Sequence, residues 1–214
     1  AFVWQWVSLP SMPAQKSHPR IGSVFRLLRA PQVAFGMMSC GLFFMGQFAL
    51  FTYLRPFLET VTHVSAAGLS LMLLILGIAG FVGTLLIGTF LIAGFYRTLA
   101  FIPLLMAAIA VLLMGVGHQS ALVAVLLGCW GLVATAAPVG WWSWVARMLP
   151  DNAEAGGGLM VAMVQLAIAL GSTLGGVMYD GFDYRYTFAL SALLLLAAAA
   201  LTAVTSRSDH HRAV

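Results

Sequence analysis

Between His63 and Tyr96 the chain carries no charged residue, and residues 64–95 read VSAAGLSLMLLILGIAGFVGTLLIGTFLIAGF. A transmembrane helix needs about 20 mostly apolar residues. This run is longer than that length and therefore predicts a helix that crosses a membrane. Gly80, Thr84 and Gly88 recur within it at a spacing of one helical turn, which predicts a face that packs closely against another helix.

Comparable apolar runs lie on both sides of this one, at residues 30–54, 98–146, 155–179 and 186–206. The run 98–146 is long enough for two helices and contains a turn-like cluster, GVGHQS, at residues 115–120. The sequence therefore predicts an all-α membrane protein in which six transmembrane helices form one bundle. With six spans, both chain ends lie on the same side of the membrane.

The composition excludes a soluble domain. Of 214 residues, 62% are hydrophobic and 7% are charged, whereas a soluble domain carries about 25% charged residues. The basic residues are too scattered to form a nucleic-acid-binding face, so no nucleic-acid partner is expected. Cys40 and Cys129 lie inside apolar runs, where they are expected to be buried apolar side chains rather than metal ligands. No cofactor and no metal are expected.

The basic residues predict the orientation in the membrane, because cytoplasmic loops carry an excess of Lys and Arg. Arg55 and Arg185 fall on one side of the six spans. All the others fall on the opposite side, which predicts that both ends of this multi-pass inner-membrane protein are cytoplasmic. These others are Lys16, Arg20, Arg26, Arg29, Arg97, Arg147, Arg207 and Arg212.

The sequence divides into four parts. Residues 1–10 are apolar but too short to span, and they lack an initiator Met and the basic start of a signal peptide. We expect them to be the end of a preceding transmembrane helix, so that the chain is part of a longer protein. Residues 11–32 are expected to be a cytoplasmic linker with a short amphipathic helix at 21–29. Residues 33–206 form the bundle, and 207–214 a cytoplasmic tail.

The spans differ in polarity. The third (98–116) and sixth (187–205) consist almost entirely of Leu, Ala, Ile and Val, and are expected to face lipid. The other spans carry the Gly, Gln, Trp, Pro and Thr residues. An apolar helix at every third position predicts two three-helix repeats, as in transporters built from internal repeats.

Two glutamines at membrane depth are the first candidate site residues. An amide without a partner is unfavourable in hydrocarbon, so Gln47 and Gln165 must face protein or a wet cavity. They either bond to a neighbouring helix or contact a solute. On the same span as Gln165, the pair Gly171 and Gly175 has the small-xxx-small spacing that favours helix packing.

The fourth span supplies aromatic candidates. Trp141 and Trp144 lie on one helical face. With Trp142 they form either an interfacial aromatic belt or an aromatic wall that stacks on a flat ligand. Pro138 and Gly140 are predicted to break this helix. A break at membrane depth is tolerated where it lines a cavity.

Arg55 and Glu59 lie at the predicted outer mouth, four residues apart. They form either a surface ion pair of little energetic weight or part of an outer gate that accepts a polar or anionic group. His210 and His211 in the tail are expected to be solvated rather than metal ligands.

Three runs resemble a known family. GQFALFTYLRP (46–56), PVGWWSW (138–144) and residues 153–176 are similar to the seventh, tenth and eleventh helices of bacterial major facilitator superfamily drug/proton antiporters. Among these, the purine ribonucleoside efflux pumps are the most similar. The resemblance implies that this chain is the carboxy-terminal bundle of a twelve-helix protein, whose partners are the lipid bilayer, an amino-terminal six-helix half, a small-molecule substrate and protons. The cavity residues it implies are Gln47, Tyr53, Trp141, Trp144 and Gln165.

The chain departs from this pattern in its acidic residues. The loop that contains Gly88, Gly94 and Arg97 has no acid, and no acid lies at mid-membrane depth. Because intramembrane carboxylates are the usual proton carriers, the carrier is expected in the other half. Sugar or drug efflux by the same fold and a self-contained six-helix scaffold or channel remain alternatives. An enzyme is not expected, because the sequence has no His-Glu-x-x-His or Gly-x-Ser-x-Gly motif.

Overall fold

The computed structural model describes residues 27–210, with the side chains of Asp151 and residues 207–210 left out. Within this range the chain is helical and contains no strand. Short 3₁₀ turns lie at Leu27–Arg29 and Pro150–Asn152. The α-helices are α1 (Pro31–Phe51), α2 (Leu54–Thr60), α3 (Ala66–Val116), α4 (Ser120–Ala134), α5 (Ala137–Met148), α6 (Ala153–Gly181) and α7 (Tyr184–His210).

Some predictions fall outside the described residues. These are the helix end at 1–10, most of the linker at 11–32 with its amphipathic helix, and the last residues of the tail. Helix α1 begins at Pro31, inside the stretch assigned to the linker. Proline suits the first turn of a helix, because its missing N–H would have no partner there.

Five helical segments are long and apolar enough to cross a membrane, where the sequence predicted six. They are Pro31–Thr60, Ala66–Val116, Ser120–Met148, Ala153–Gly181 and Tyr184–Ser206. The difference lies in α3. The residues predicted as the second and third spans form one long helix of 51 residues. Its single non-helical residue is Gly94 (φ −176°, ψ 85°).

Helix α3 bends sharply at Gly94. The Thr98 hydroxyl donates to the carbonyl oxygen of Phe90 at 3.0 Å, although eight residues of straight helix would rise about 12 Å. Leu91 and Leu99, on opposite sides of the bend, both lie beside Gly140. The bend therefore divides α3 into a first arm (residues 66–93) and a second arm (residues 95–116) that fold back on each other.

The first predicted span was expected to end at Arg55-Pro56, and this expectation is wrong. A short helix, α2, starts at Leu54 and continues to Thr60. Pro56 lies in its first turn, where the loss of a backbone donor is tolerated. The helical segment that starts at Pro31 therefore extends to Thr60 with only a slight interruption.

The predicted break at Pro138 and Gly140 also lies elsewhere. The helix is interrupted at Thr135 and Ala136, and Pro138 is already inside α5. The reason is that a proline clashes with the carbonyl four residues earlier, here that of Ala134, so the distortion appears one turn before Pro138. Gly140 does not loosen the helix; its Cα faces the Leu99 side chain, which lies 2.8 Å from the position of an added Cβ.

Helix α1 lies in the middle of the packing, against α6 and α7. Hydroxyl groups bind it to α7: Ser39 donates to the carbonyl of Ala198 at 2.7 Å, and Ser191 donates to that of Gly46 at 2.6 Å. Small residues bring α6 close, because a Cβ at Gly175 would lie 2.5 Å from the Ala49 carbonyl oxygen. The predicted packing role of Gly171 and Gly175 is confirmed.

The glycine face of α3 is only partly a packing face. A Cβ at Gly80 would meet the Thr135 side chain at 2.8 Å, and the Thr135 hydroxyl donates to the Gly80 carbonyl at 2.7 Å. A Cβ at Gly88 would meet nothing within 4 Å. The prediction of close packing holds for Gly80 and is wrong for Gly88 among the described residues.

Candidate functional site

The charged residues of the bundle separate into two groups, one at each end. At one end, the Arg147 guanidinium lies 4.1 Å from the centre of the Phe95 ring, close to Arg97 and the bend of α3. At the other end, the hydroxyl groups of Thr60 and Tyr179 lie 3.3 Å apart. The Tyr184 hydroxyl donates to the Met114 carbonyl at 3.4 Å. The first end carries Arg29, Arg97, Arg147 and Glu154; the second carries Arg55, Glu59, Asp180, Asp183 and Arg185.

A small cavity between α1, α5 and α6 brings candidate residues together. Its volume is about 170 Å³. Gln165 is exposed and contributes the amide. Trp142 contributes most of the indole surface, because Trp141, which also lines the cavity, is only 2% exposed. The remaining lining residues, Phe44, Pro138, Met160, Val161 and Val164, are apolar. An apolar, aromatic cavity with one amide suits a flat solute that has a few hydrogen-bonding groups on its edge.

Gln47 lies on the same side of α1 as Phe44, less than one turn further along. Its side-chain oxygen, Oε1, is buried and accepts no hydrogen bond from the described residues. Leaving a buried acceptor unsatisfied costs about 1–3 kcal/mol. A donor from a solute, a water molecule or another helix would remove this cost, so Gln47 is the described amide with the clearest unmet hydrogen-bonding capacity.

Tyr53 does not line this cavity. Its hydroxyl donates to the Ser172 carbonyl at 3.1 Å, and its ring stacks on Tyr179 with centres 5.2 Å apart. Thr52 and Ser172 are joined by a hydrogen bond of 2.9 Å beside it. Tyr53 therefore contributes to the contact between α1 and α6 near the second charged end.

Trp144 also lies away from the cavity. Only 1% of it is exposed, and it packs on Trp141 and against Gly36, which leaves room for its ring because it has no side chain. Trp142 is 46% exposed and lines the cavity. The sequence named it as part of a possible aromatic wall, but it was not among the cavity residues that the resemblance implied. Of those predicted, the structure brings Trp141 and Gln165 together, places Gln47 nearby, and puts Tyr53 and Trp144 elsewhere.

Arg55 and Glu59 form an ion pair on the surface of α2. The Nε of Arg55 donates to Oε1 of Glu59 at 2.9 Å, and their side chains are 73% and 43% exposed. A pair this exposed contributes little to stability, because water screens it. The part of the chain that the structure covers holds no group of three or more His, Cys, Asp and Glu residues able to bind a metal ion.

The sequence is similar to proteins of two different descriptions. It is 58% identical over 211 residues to the transcription regulatory protein OpdE of Pseudomonas aeruginosa, an alignment that covers 97% of this chain and 52% of that protein. It is 40% identical over 205 residues to the purine ribonucleoside efflux pump NepI of Salmonella enteritidis. That alignment covers 96% of this chain and 51% of the efflux pump. The efflux pump of Salmonella typhimurium is 39% identical over the same length.

The chain spans about half the length of the curated relatives that it matches. No protein-family model matches the sequence. The homologues thus include efflux pumps, and the long apolar helices fit a protein of that kind.

Proposed function

We propose that this chain is one half of a secondary active transporter that exports purine nucleosides in exchange for protons. The observation that carries the proposal is the 40% identity to purine ribonucleoside efflux pumps along nearly the whole chain. The cavity of Trp141, Trp142 and Gln165 supports it. Sugar or drug efflux by the same fold is the alternative, and a self-contained scaffold or channel is a further one.

We propose that the bundle crosses the membrane six times. At 1.5 Å per residue, the 51 residues of α3 would extend about 77 Å if straight, far more than the hydrocarbon core of about 30 Å. The bend at Gly94 supports one crossing by each arm. Six crossings place the two chain ends on one side, and Arg29, Arg97 and Arg147 favour the cytoplasm for that side.

The cavity residues suit a purine nucleoside. Indole rings stack on flat aromatic groups, which matches Trp141 and Trp142 to the base. The amide of Gln165 donates and accepts hydrogen bonds, as the edge of a purine requires. The unpartnered Oε1 of Gln47 supplies a further acceptor for an N–H or hydroxyl of the solute.

The proposed mechanism is alternating access, with this bundle moving against an amino-terminal half around a central cavity. The exposed polar and aromatic side chains of α1, α5 and α6 would form one wall of that cavity. All the acidic residues of the chain lie outside the apolar runs. We therefore assign the proton carrier to the other half of the protein.

Efflux of labelled inosine tests this function. Cells that express the complete gene are loaded with labelled inosine, and its release is followed with and without an uncoupler that collapses the proton gradient. We expect release above that of cells with an empty vector, and we expect the uncoupler to abolish the difference. Unchanged release from cells with well-expressed protein would exclude nucleoside export; labelled sugars and cationic drugs would then test the alternative.

Regulation of transcription is the second candidate, and the name of the Pseudomonas relative is the observation that favours it. Direct DNA binding requires basic residues clustered on one face, whereas the Lys and Arg residues of this chain are scattered between its apolar runs. We infer that transcriptional effects follow from solute export. If so, a transport-deficient Gln165→Ala variant should lose them. Transcriptional effects that persist in this variant would favour a regulatory function of its own.

A further inference from the structure

An apolar groove lies between the two arms of α3 and helix α4, away from the cavity of Gln165. Its volume is about 480 Å³. Its floor is made of buried side chains, among them Ile87 on the first arm and Ile102 on the second. Its rims are the exposed side chains of Leu86, Phe90 and Phe101. The groove is therefore an open apolar channel with a rigid base.

Only Arg97 and Thr98 bring polar side chains to this groove. The Thr98 hydroxyl is already used, because it donates to the carbonyls of Phe90 at 3.0 Å and Gly94 at 2.9 Å. Arg97 is exposed, and among the described residues it has no carboxylate within salt-bridge distance. Its aliphatic part lies against Gly94, with Cδ 3.5 Å from the position of an added Cβ.

Arg97 lies at one end of the groove, at the bend of α3. Its neighbour Arg147 is held over the Phe95 ring at the same end of the bundle. Arg147 does not line the groove, so the groove has one positively charged side chain, Arg97, at the end of an apolar channel between helices. A phospholipid with a negatively charged headgroup is complementary to this arrangement, because its phosphate lies at the membrane surface and its acyl chains lie below.

We propose that this groove binds an acyl chain of an anionic phospholipid, whose phosphate pairs with Arg97. Clusters of basic residues between membrane helices bind anionic headgroups on the cytoplasmic side, and planar guanidinium groups form paired hydrogen bonds to phosphate oxygens. A nucleoside does not suit the groove, because its polar edges would find no free donor or acceptor along the channel. This site is independent of the proposed transport function.

Lipid binding to the complete purified protein tests the proposal. Native mass spectrometry is used to titrate it with phosphatidylglycerol and with phosphatidylcholine of the same acyl chains. We expect tighter binding of phosphatidylglycerol. Arg97→Gln should weaken that binding about fivefold, the effect of one arginine at an anionic lipid surface. It should weaken phosphatidylcholine binding less, because the choline ammonium of that lipid already balances the charge of its phosphate.

Two further variants keep the test decisive. Arg185→Gln removes the same charge at the opposite end and should not alter lipid binding. Leu105→Trp fills the channel on the second arm and should weaken binding of both lipids, while the thermal unfolding temperature shows that the variant is folded. Equal loss in Arg97→Gln and Arg185→Gln, or full binding by Leu105→Trp, would overturn the proposal. So would the absence of phosphatidylglycerol binding, as expected if another part of the protein covers the groove.

Discussion

At the scale of single residues, the two glutamines of the bundle are held differently. Gln165 is exposed at the small cavity beside Trp141, whereas the Oε1 of Gln47 is buried and unpartnered. The sequence identified both as polar residues at membrane depth, because amides stand out in apolar runs. Which of the aromatic candidates reach the cavity could not be predicted. That depends on the space that Gly36 leaves for Trp144 and on the hydrogen bond from Tyr53 to Ser172.

Gln165→Ala is expected to impair inosine efflux and to leave the amount of folded protein unchanged. The reason is that an exposed amide in the cavity contributes little to folding, whereas in the proposed site it would bond directly to the solute. Efflux and the quantity of purified monodisperse protein are measured together. A parallel loss of both would instead assign Gln165 to the contact between helices.

Gln47→Leu is expected to preserve or raise the unfolding temperature, because it replaces an unsatisfied buried acceptor by an apolar side chain of similar size. Nucleoside efflux should fall about tenfold or more, since one buried hydrogen bond to the solute is lost. Thermal unfolding in detergent and initial efflux rates check the two effects. A lower unfolding temperature would indicate that Gln47 already has a partner within the complete protein.

At the scale of helices, the hydrophobic runs predicted where the helical segments lie. They predicted less well where a helix is interrupted within a run. The runs 64–95 and 98–116 were predicted as separate spans, and in the structure a single non-helical residue, Gly94, separates them. The sequence placed this boundary within a few residues of the bend, because Arg97 interrupts the apolar residues there. The interruption before Pro138 was misplaced because the effect of a proline falls one turn earlier than the proline itself.

Gly175→Val should weaken the contact between α1 and α6. Its Cβ would lie 2.5 Å from the Ala49 carbonyl oxygen, and overpacking of this kind typically costs about 1–3 kcal/mol. Thermal unfolding of the complete protein in detergent measures the loss. Gly115→Ala on the second arm of α3 is the matched control, because a Cβ there meets nothing within 4 Å. An unchanged unfolding temperature for Gly175→Val would contradict the close packing of these helices.

At the scale of the whole molecule, the distribution of charge was the most informative sequence feature. Arg29, Arg97 and Arg147 lie at one end of the bundle together with Glu154, whereas Arg55 and Arg185 lie at the other end among three acids. The sequence predicted the excess of basic residues at the first end, because the charges fall only between apolar runs.

The bundle by itself is expected not to transport. One wall of the proposed cavity is absent, and so is the proposed proton carrier. Residues 1–214 reconstituted into lipid vesicles should therefore release labelled inosine no faster than empty vesicles. Transport by this chain alone would favour the self-contained channel instead.

The most direct measurement is uptake of labelled inosine by proteoliposomes that contain the complete protein, with a pH gradient imposed across the membrane. Nucleoside–proton exchange predicts that inosine moves against its concentration gradient towards the more acidic compartment. It also predicts that an ionophore which dissipates the pH gradient stops this accumulation. Accumulation that is absent, or equal with and without the pH gradient, would contradict the proposed function.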